Sequence, residues 1–423
     1  MSGFISLSRF GSPTKKRLVE NFVSLSVLQG ANYIIPLITL PYLVRVLGPE
    51  KFGLIAFSQA FIGYCQILTD YGFNLSATRE ISIHREDREK VSEIFSSVMV
   101  IKFGLLLASM IIMSVAVFFF DKFRRDWLIY YITFGMVFGQ VLFPVWFFQG
   151  MERMKYITFL NILAKLIFTV AIFVFVREST DYLYVPLLNS LGFVIAGILA
   201  LRIVVRDFEI NFNVPEWRDI KHQLSEGWHI FISTVAISLY TISNTFILGL
   251  FTNNTIVGYY SVAEKMVGAL KGFWIPISQT IFPFISNLYS KKQEEAKVLL
   301  IKLLKLTGTV TFIISVLACF FAPILIYIFL GEQYKISVKI FQILIFTFFA
   351  IGINNILGIQ GLVGFGYDNI FTKVVILGAI FHITLLIILV FLFSFFGSAI
   401  ATVLTELFIC IIEFFILKRL KIL

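Results

Sequence analysis

The chain is a succession of apolar runs, each long enough to cross a lipid bilayer, with only short polar breaks between them. A crossing helix needs about 20 mostly apolar residues. Such runs fall at 21–44, 54–72, 94–120, 127–149, 156–176, 183–205, 228–251, 259–287, 303–330, 337–362, 371–394 and 397–417. Twelve crossings consume nearly all of the 423 residues, so no soluble catalytic domain fits. Composition agrees: 58% of the residues are hydrophobic and 14% charged, against about 45–50% and about 25% in soluble domains. A water-soluble fold would leave too much of that apolar surface wet. The expected fold class is therefore an all-α polytopic membrane protein of about twelve transmembrane helices. The first run begins near Phe22 and lacks a small-residue cleavage site, so it is read as a permanent span. The eighth run carries Pro276 and Pro283 and is expected to bend. The last two runs nearly fuse at Phe395-Phe396-Gly397.

Net charge is +10, and topology accounts for it. Of the 35 Lys and Arg residues, 23 fall at one set of span ends, 8 at the other, and Lys102, Lys165, Lys265 and Lys271 lie inside spans. The excess assigns the first set, both termini included, to the cytoplasm, and an even span count requires both termini on one side. Nucleic acid is not an expected partner. Cys65, Cys319 and Cys410 sit in apolar runs without paired spacing, and the four histidines are scattered, so neither a disulfide framework nor a metal site is expected.

The longest polar stretch, Arg206 to Gly227, divides the chain. The expected organisation is an N-terminal six-helix bundle over 1–206, a cytoplasmic linker over 207–227 and a C-terminal six-helix bundle over 228–423. Leu47-Gly48-Pro49-Glu50-Lys51-Phe52-Gly53 follows the first span, and Asn253-Asn254-Thr255-Ile256-Val257-Gly258 follows the seventh, an offset of 205 residues from Gly53 to Gly258. Repeated halves with a substrate site between them are common in transporters.

Soluble-enzyme motifs are missing: there is no Walker A loop, GxGxxG turn, GxSxG or HExxH. No external loop exceeds about ten residues, which counts against a glycan polymerase or ligase. The informative residues are polar ones inside the spans, since a charge at bilayer depth costs about 2.5–3.5 kcal/mol on insertion scales. Thr158, Asn161, Lys165 and Thr169 share one helical face; Glu264, Gly268, Lys271 and Ser278 recur in the eighth span, and Glu406, Cys410 and Glu413 in the twelfth. Gln29, Asn32, Gln59, Gln66 and Asp70 stripe the first two spans. Interhelical hydrogen bonding accounts for such stripes as readily as a hydrated cavity does. The lysines tip the balance: Lys165, about nine residues into its span, is too deep to reach water easily, and it and Lys271 are read as cavity residues, whereas Lys102 and Lys265 lie nearer the span ends, where snorkelling is an equal reading. Lys165, Lys271, Lys102, Lys265, Asn161 and Glu264 are the candidate cavity residues. Glu406 is either a coupling carboxylate or a lysine partner, and Glu413, within a turn of the cytoplasmic end, is expected to be solvated. Fixed cations in a cavity suit an anionic substrate such as a lipid diphosphate.

The N-terminal third carries a resemblance. Asn21-Phe22-Val23-Ser24-Leu25 runs through Gln29-Gly30-Ala31-Asn32-Tyr33 to Pro36-Leu37-Ile38-Thr39-Leu40-Pro41-Tyr42-Leu43-Val44-Arg45-Val46-Leu47-Gly48. Asp70-Tyr71-Gly72-Phe73-Asn74-Leu75-Ser76-Ala77-Thr78-Arg79-Glu80 and Pro144-Val145-Trp146-Phe147-Phe148-Gln149-Gly150 follow. These segments resemble the polysaccharide transporter (Wzx/RfbX-type) family of O-antigen flippases, within the multidrug/oligosaccharidyl-lipid/polysaccharide exporters. The resemblance implies two six-helix bundles around a central cavity, as in MATE transporters, and alternating access. It implies translocation of undecaprenyl-diphosphate-linked oligosaccharide units to the periplasmic leaflet of the bacterial inner membrane, without covalent chemistry. Arg45, Asp70 and Arg79 stand in the matched segments at membrane ends, where gating, head-group contact and simple anchoring are all open. No cofactor is expected; an H+ or Na+ gradient, or downstream consumption of the product, would bias the cycle. Expected partners are the lipid-linked substrate, membrane lipids, and the glycan polymerase and chain-length machinery. A cation-coupled multidrug exporter of the same fold is the alternative, and predicts acidic rather than basic cavity residues.

Overall fold

The computed structural model describes residues 12–423, with side chains from Val27 onward except at 33, 34 and 240. Among these residues there is no strand. The helices are α1 (Ser12–Asp70), α2 (Phe73–His84), α3 (Arg88–Phe119), α4 (Asp121–Arg125), α5 (Trp127–Leu142), α6 (Val145–Gly150), α7 (Met154–Phe175) and α8 (Tyr184–Asp207). They continue with α9 (Trp217–Thr241), α10 (Ser243–Phe251), α11 (Asn254–Lys271), α12 (Trp274–Lys291), α13 (Gln293–Leu330), α14 (Lys335–Leu344), α15 (Phe346–Asn354) and α16 (Asp368–Arg419).

Among the described residues, eight helical stretches are long and apolar enough to cross a membrane, nine if α9 and α10, bent by 54°, are taken as one. Two of the eight, Val27–His84 and Asp368–Arg419, would run about 87 and about 78 Å if straight, over twice the hydrocarbon thickness. Both are broken, so each holds two passes. Among the described residues, counting each broken stretch twice and α9–α10 and α11–α12 once each gives twelve helical passes by length, against the eight or nine that length and apolarity together support.

The breaks have local causes. At Gly48 the backbone takes φ 70°, a conformation glycine enters without Cβ strain, and Pro49 then opens the next helical segment. Inside α16 the break falls at Ser394 (φ 55°), and the chain doubles back so tightly that a Cβ on Gly397 would lie 1.9 Å from the Leu389 carbonyl oxygen. The eighth run is interrupted at Gly272–Phe273, between α11 and α12, just ahead of its prolines. Pro276 lies in the first turn of α12, where a missing N–H costs nothing, and Pro283 is accommodated within the helix. Asp87 and Asn253 cap α3 and α11, accepting from the backbone N–H of Lys90 (3.1 Å) and Ile256 (3.0 Å).

The chain forms two compact units. The first contains Ser58–Ser238 and the described residues up to Leu47; the second contains Gly48–Phe57 and Leu239–Leu423. In the first, Trp146, Phe147 and Phe148 of α6 are wholly buried in an aromatic core with Phe95 and Phe208. Gly150 abuts Ile81 of α2, and Thr78 Oγ1 donates to the Trp146 carbonyl at 3.1 Å. The Pro-Val-Trp-Phe-Phe-Gln-Gly segment is thus a packing element. In the second unit, the two echoing segments after the first and seventh spans meet. A Cβ on Gly53 would fall 1.8 Å from the Asn254 carbonyl oxygen, and one on Gly258 would fall 1.9 Å from that of Pro49. Pro49 and Asn254 are 205 residues apart, as are Gly53 and Gly258. The contact is therefore reciprocal, as across a two-fold axis.

Candidate functional site

Polar residues from four helices of the first unit converge on one cavity. Gln66 comes from α1, Gln140 from α5, Asn161 and Lys165 from α7, and Asn189 from α8. They enclose about 240 Å³ together with Phe143, Phe168 and Phe193. Asn161 Nδ2 donates to the Ile157 carbonyl at 2.9 Å, which leaves its amide oxygen for the cavity. The Lys165 ammonium donates to Oδ1 of Asn32, a neutral acceptor. An ammonium on a neutral amide keeps its charge for an incoming anion, whereas one paired to a carboxylate does not. Gln140 and Asn189 were not singled out in sequence; each is a lone amide in an apolar run, a signal indistinguishable there from an interhelical hydrogen bond.

Lys102 behaves differently. It lies in mid-α3, 2% exposed, with Nζ 3.7 Å from Asp70 Oδ1. Asp70 also accepts from Asn74 Nδ2 at 2.9 and 2.8 Å. Of the two readings of Lys102, its depth and partner disfavour snorkelling. Asp70 is then the carboxylate that compensates it. Arg79 is exposed and 3.9 Å from Glu226, a solvated pair worth little energetically. Its neighbour Glu80 is mostly buried and accepts from His222 Nε2 (2.8 Å) and Gln223 Nε2, tying α2 to α9. Arg45 is exposed, three residues before the break at Gly48.

In the second unit, Glu264 accepts from Thr245 Oγ1 (2.9 Å) and Tyr260 OH (3.3 Å). Lys271, half-buried, interacts electrostatically with Glu406 and Glu264. Lys265 is exposed, its ammonium 5.1 Å from the centre of the Phe52 ring, a cation–π placement. Glu406 is buried and accepts from Asn354 Nδ2 at 2.6 Å. Glu413, expected to be solvated, is 1% exposed. Its carboxylate lies against Gly358, whose added Cβ would be 2.4 Å from Oε1. Gly358 belongs to a π-helical segment, Asn355–Leu362, a distortion that recurs at functional sites. Lys165 thus lies in one unit, and Lys271, Lys265, Glu264 and Glu406 in the other. Among the described residues no group of three or more His, Cys, Asp and Glu is arranged to hold a metal.

Comparison with known proteins accords with this architecture. A family model described as polysaccharide biosynthesis protein matches residues 18–289. A putative O-antigen transporter of Escherichia coli (strain K12) is 33% identical over 392 residues, 93% of this chain and 94% of that one. The fold matches that of the lipid II flippase MurJ in an inward closed conformation, with TM-score 0.72 at 13% identity over 95% of this chain and 87% of that one. It also matches an inward-facing multidrug resistance MATE family transporter of the MOP superfamily, with TM-score 0.70 at 14% identity over 95% and 98%. At such identities the likeness establishes the fold.

Proposed function

Because the chain belongs to the polysaccharide biosynthesis protein family, we propose that it flips undecaprenyl-diphosphate-linked O-antigen repeat units from the cytoplasmic to the periplasmic leaflet of a bacterial inner membrane. The observation that carries the reading is Lys165: a lysine at membrane depth, on a neutral amide partner, in a cavity whose other polar side chains are amides, set among aromatic and small apolar residues. The ammonium draws the diphosphate, and the amides offer donors and acceptors to sugar hydroxyls. Nothing in the cycle requires a covalent step. Passage follows alternating access with both termini in the cytoplasm. An H+ or Na+ gradient, or removal of the product by the polymerase and chain-length machinery, gives the cycle its direction. A cation-coupled drug exporter is disfavoured, because a cationic drug needs a carboxylate where this cavity holds Lys165.

The test uses a host that lacks its own flippase. Wild type and Lys165→Ala are expressed at matched membrane levels, and the periplasmic accessibility of lipid-linked repeat unit is measured. Wild type is expected to restore export, and Lys165→Ala to leave substrate on the cytoplasmic side. Normal export by Lys165→Ala sinks the cationic-cavity assignment. Drug resistance without export by wild type replaces the flippase reading with the exporter one.

A further inference from the structure

The polar cavity around Lys165 has an apolar neighbour. Between α7 and α8 lies a groove of about 260 Å³ lined throughout by apolar residues, among them Leu163, Ile167, Phe175, Leu191 and Ile195. Ile167, Leu191 and Ile195 are each about half exposed, so the groove opens on the outer apolar face of the unit. The two cavities share Ala164, Phe168, Gly192 and Ala196. Three of these four are small, so the partition between cation and groove is thin. At its centre Gly192 leaves its would-be Cβ 3.6 Å from the Ala164 carbonyl oxygen. One edge of α7 presents Asn161 and Lys165 to the amide-lined side, and the next edge presents Ile167 and Phe175 to the groove.

An amphiphile with an anionic head makes two demands. Its phosphate needs a fixed cation with donors around it, and its chain needs apolar surface continuous with lipid. The α7–α8 seam meets both within one helix pair. We propose that this seam is the docking site for the isoprenoid chain of a diphosphate lipid, which lies in the groove while its diphosphate reaches Lys165. The site rests on the flippase reading and deepens it, since the chain then enters beside α7 and α8 and the head group crosses with its tail on that face. Charge complementarity selects the occupant: a neutral lipid would fill the groove and leave Lys165 without an anion.

The experiment uses the full chain in nanodiscs of zwitterionic lipid and undecaprenyl diphosphate with a diazirine on its chain. Cross-links are mapped by mass spectrometry. Label is expected on residues 163–199 of α7 and α8, competed by unlabelled undecaprenyl diphosphate and not by inorganic diphosphate. Lys165→Ala is expected to lower it by about ten- to a hundredfold, the weight of a charge-assisted hydrogen bond. Gly192→Leu, which fills the seam, is expected to lower it as well. Label spread evenly over lipid-facing helices, undiminished label in Lys165→Ala, or competition by inorganic diphosphate alone overturns the site. The wild type is assayed for export in the flippase-deficient host in parallel. Export without label at the seam refutes this site alone, whereas no export by wild type refutes the flippase reading beneath it.

Discussion

Replacing Gly53 by alanine adds one methyl group where there is no room for it. The new carbon would sit 1.8 Å from the Asn254 carbonyl oxygen and 2.5 Å from the Gly258 nitrogen, whereas real Cβ atoms essentially never come within 3.0 Å. The two segments must part there by about 1.2 Å or more, losing a good part of their dispersion contact. Overpacking a core typically costs about 1–3 kcal/mol. Here backbone opposes backbone and no side chain can rotate away, so about 3 kcal/mol is expected. For a unit of this size that corresponds to a fall in Tm of about 6–12 °C. Gly258→Ala, blocked by Pro49 at 1.9 Å, should cost a similar amount. The double variant should cost less than the two together, because the first displacement makes room for the second. Gly268→Ala is the control: it lies in the same helix as Gly258, with nothing within 4 Å of its would-be Cβ. Helix propensity alone then predicts no loss and a gain of up to about 1 kcal/mol. The assay is thermal unfolding of purified protein in nanodiscs. If Gly53→Ala and Gly268→Ala melt alike, the reciprocal contact does not hold the second unit together.

Two further outcomes follow from the same structure. Lys102→Ala leaves the Asp70 carboxylate buried without its cation, and should destabilise by about 3–5 kcal/mol; Lys102→Met combined with Asp70→Asn should recover much of that in the same melting assay. In the loop between α7 and α8, the Asp181 carboxylate accepts from the backbone N–H groups of Arg177 and Glu178, both at 3.0 Å, which holds its pKa below the usual carboxylate range. A depressed folded pKa stabilises above the unfolded value and is lost as pH falls through the folded one. Loop amide protection factors, exchange corrected for its intrinsic pH dependence, should therefore fall at acid pH in wild type, and Asp181→Asn should abolish that fall; an unchanged protection profile in the variant would count against the link.

The passes were legible in the sequence because a bilayer imposes one length on every helix, a constraint readable without tertiary structure. The break between the first two runs was legible as a polar gap, and the Gly48-Pro49 pair within it supplies the backbone preferences that make it. The prolines of the eighth span do not mark its break at Gly272–Phe273: Pro276 lies in the first turn of α12 and Pro283 inside it. Lys102 and Asp70 were both noted as candidates, yet their pairing depends on how α1 lies against α3, which one-dimensional periodicity does not carry. Glu413 was misplaced for the opposite reason. Its distance from the chain end suggested water, but the missing Cβ of Gly358 and the widened turn of the π-helix make a protein-lined recess for it. The echo between Gly53 and Gly258 was visible only as a spacing, and its meaning as a contact came from geometry.

That contact also sets a timetable for biogenesis. Gly53 leaves the ribosome 205 residues before Gly258, a delay of about 10–40 s at ordinary synthesis rates. Throughout that interval residues 48–57 sit in a half-made membrane protein without the backbone they are shaped to meet. The early chain must therefore wait, inserted and unfinished, until the translocon delivers α11. Slowing elongation between the two glycines would lengthen exposure to quality-control proteases, and a chain severed between α8 and α9 would reach its native state only if both fragments were made in the same membrane.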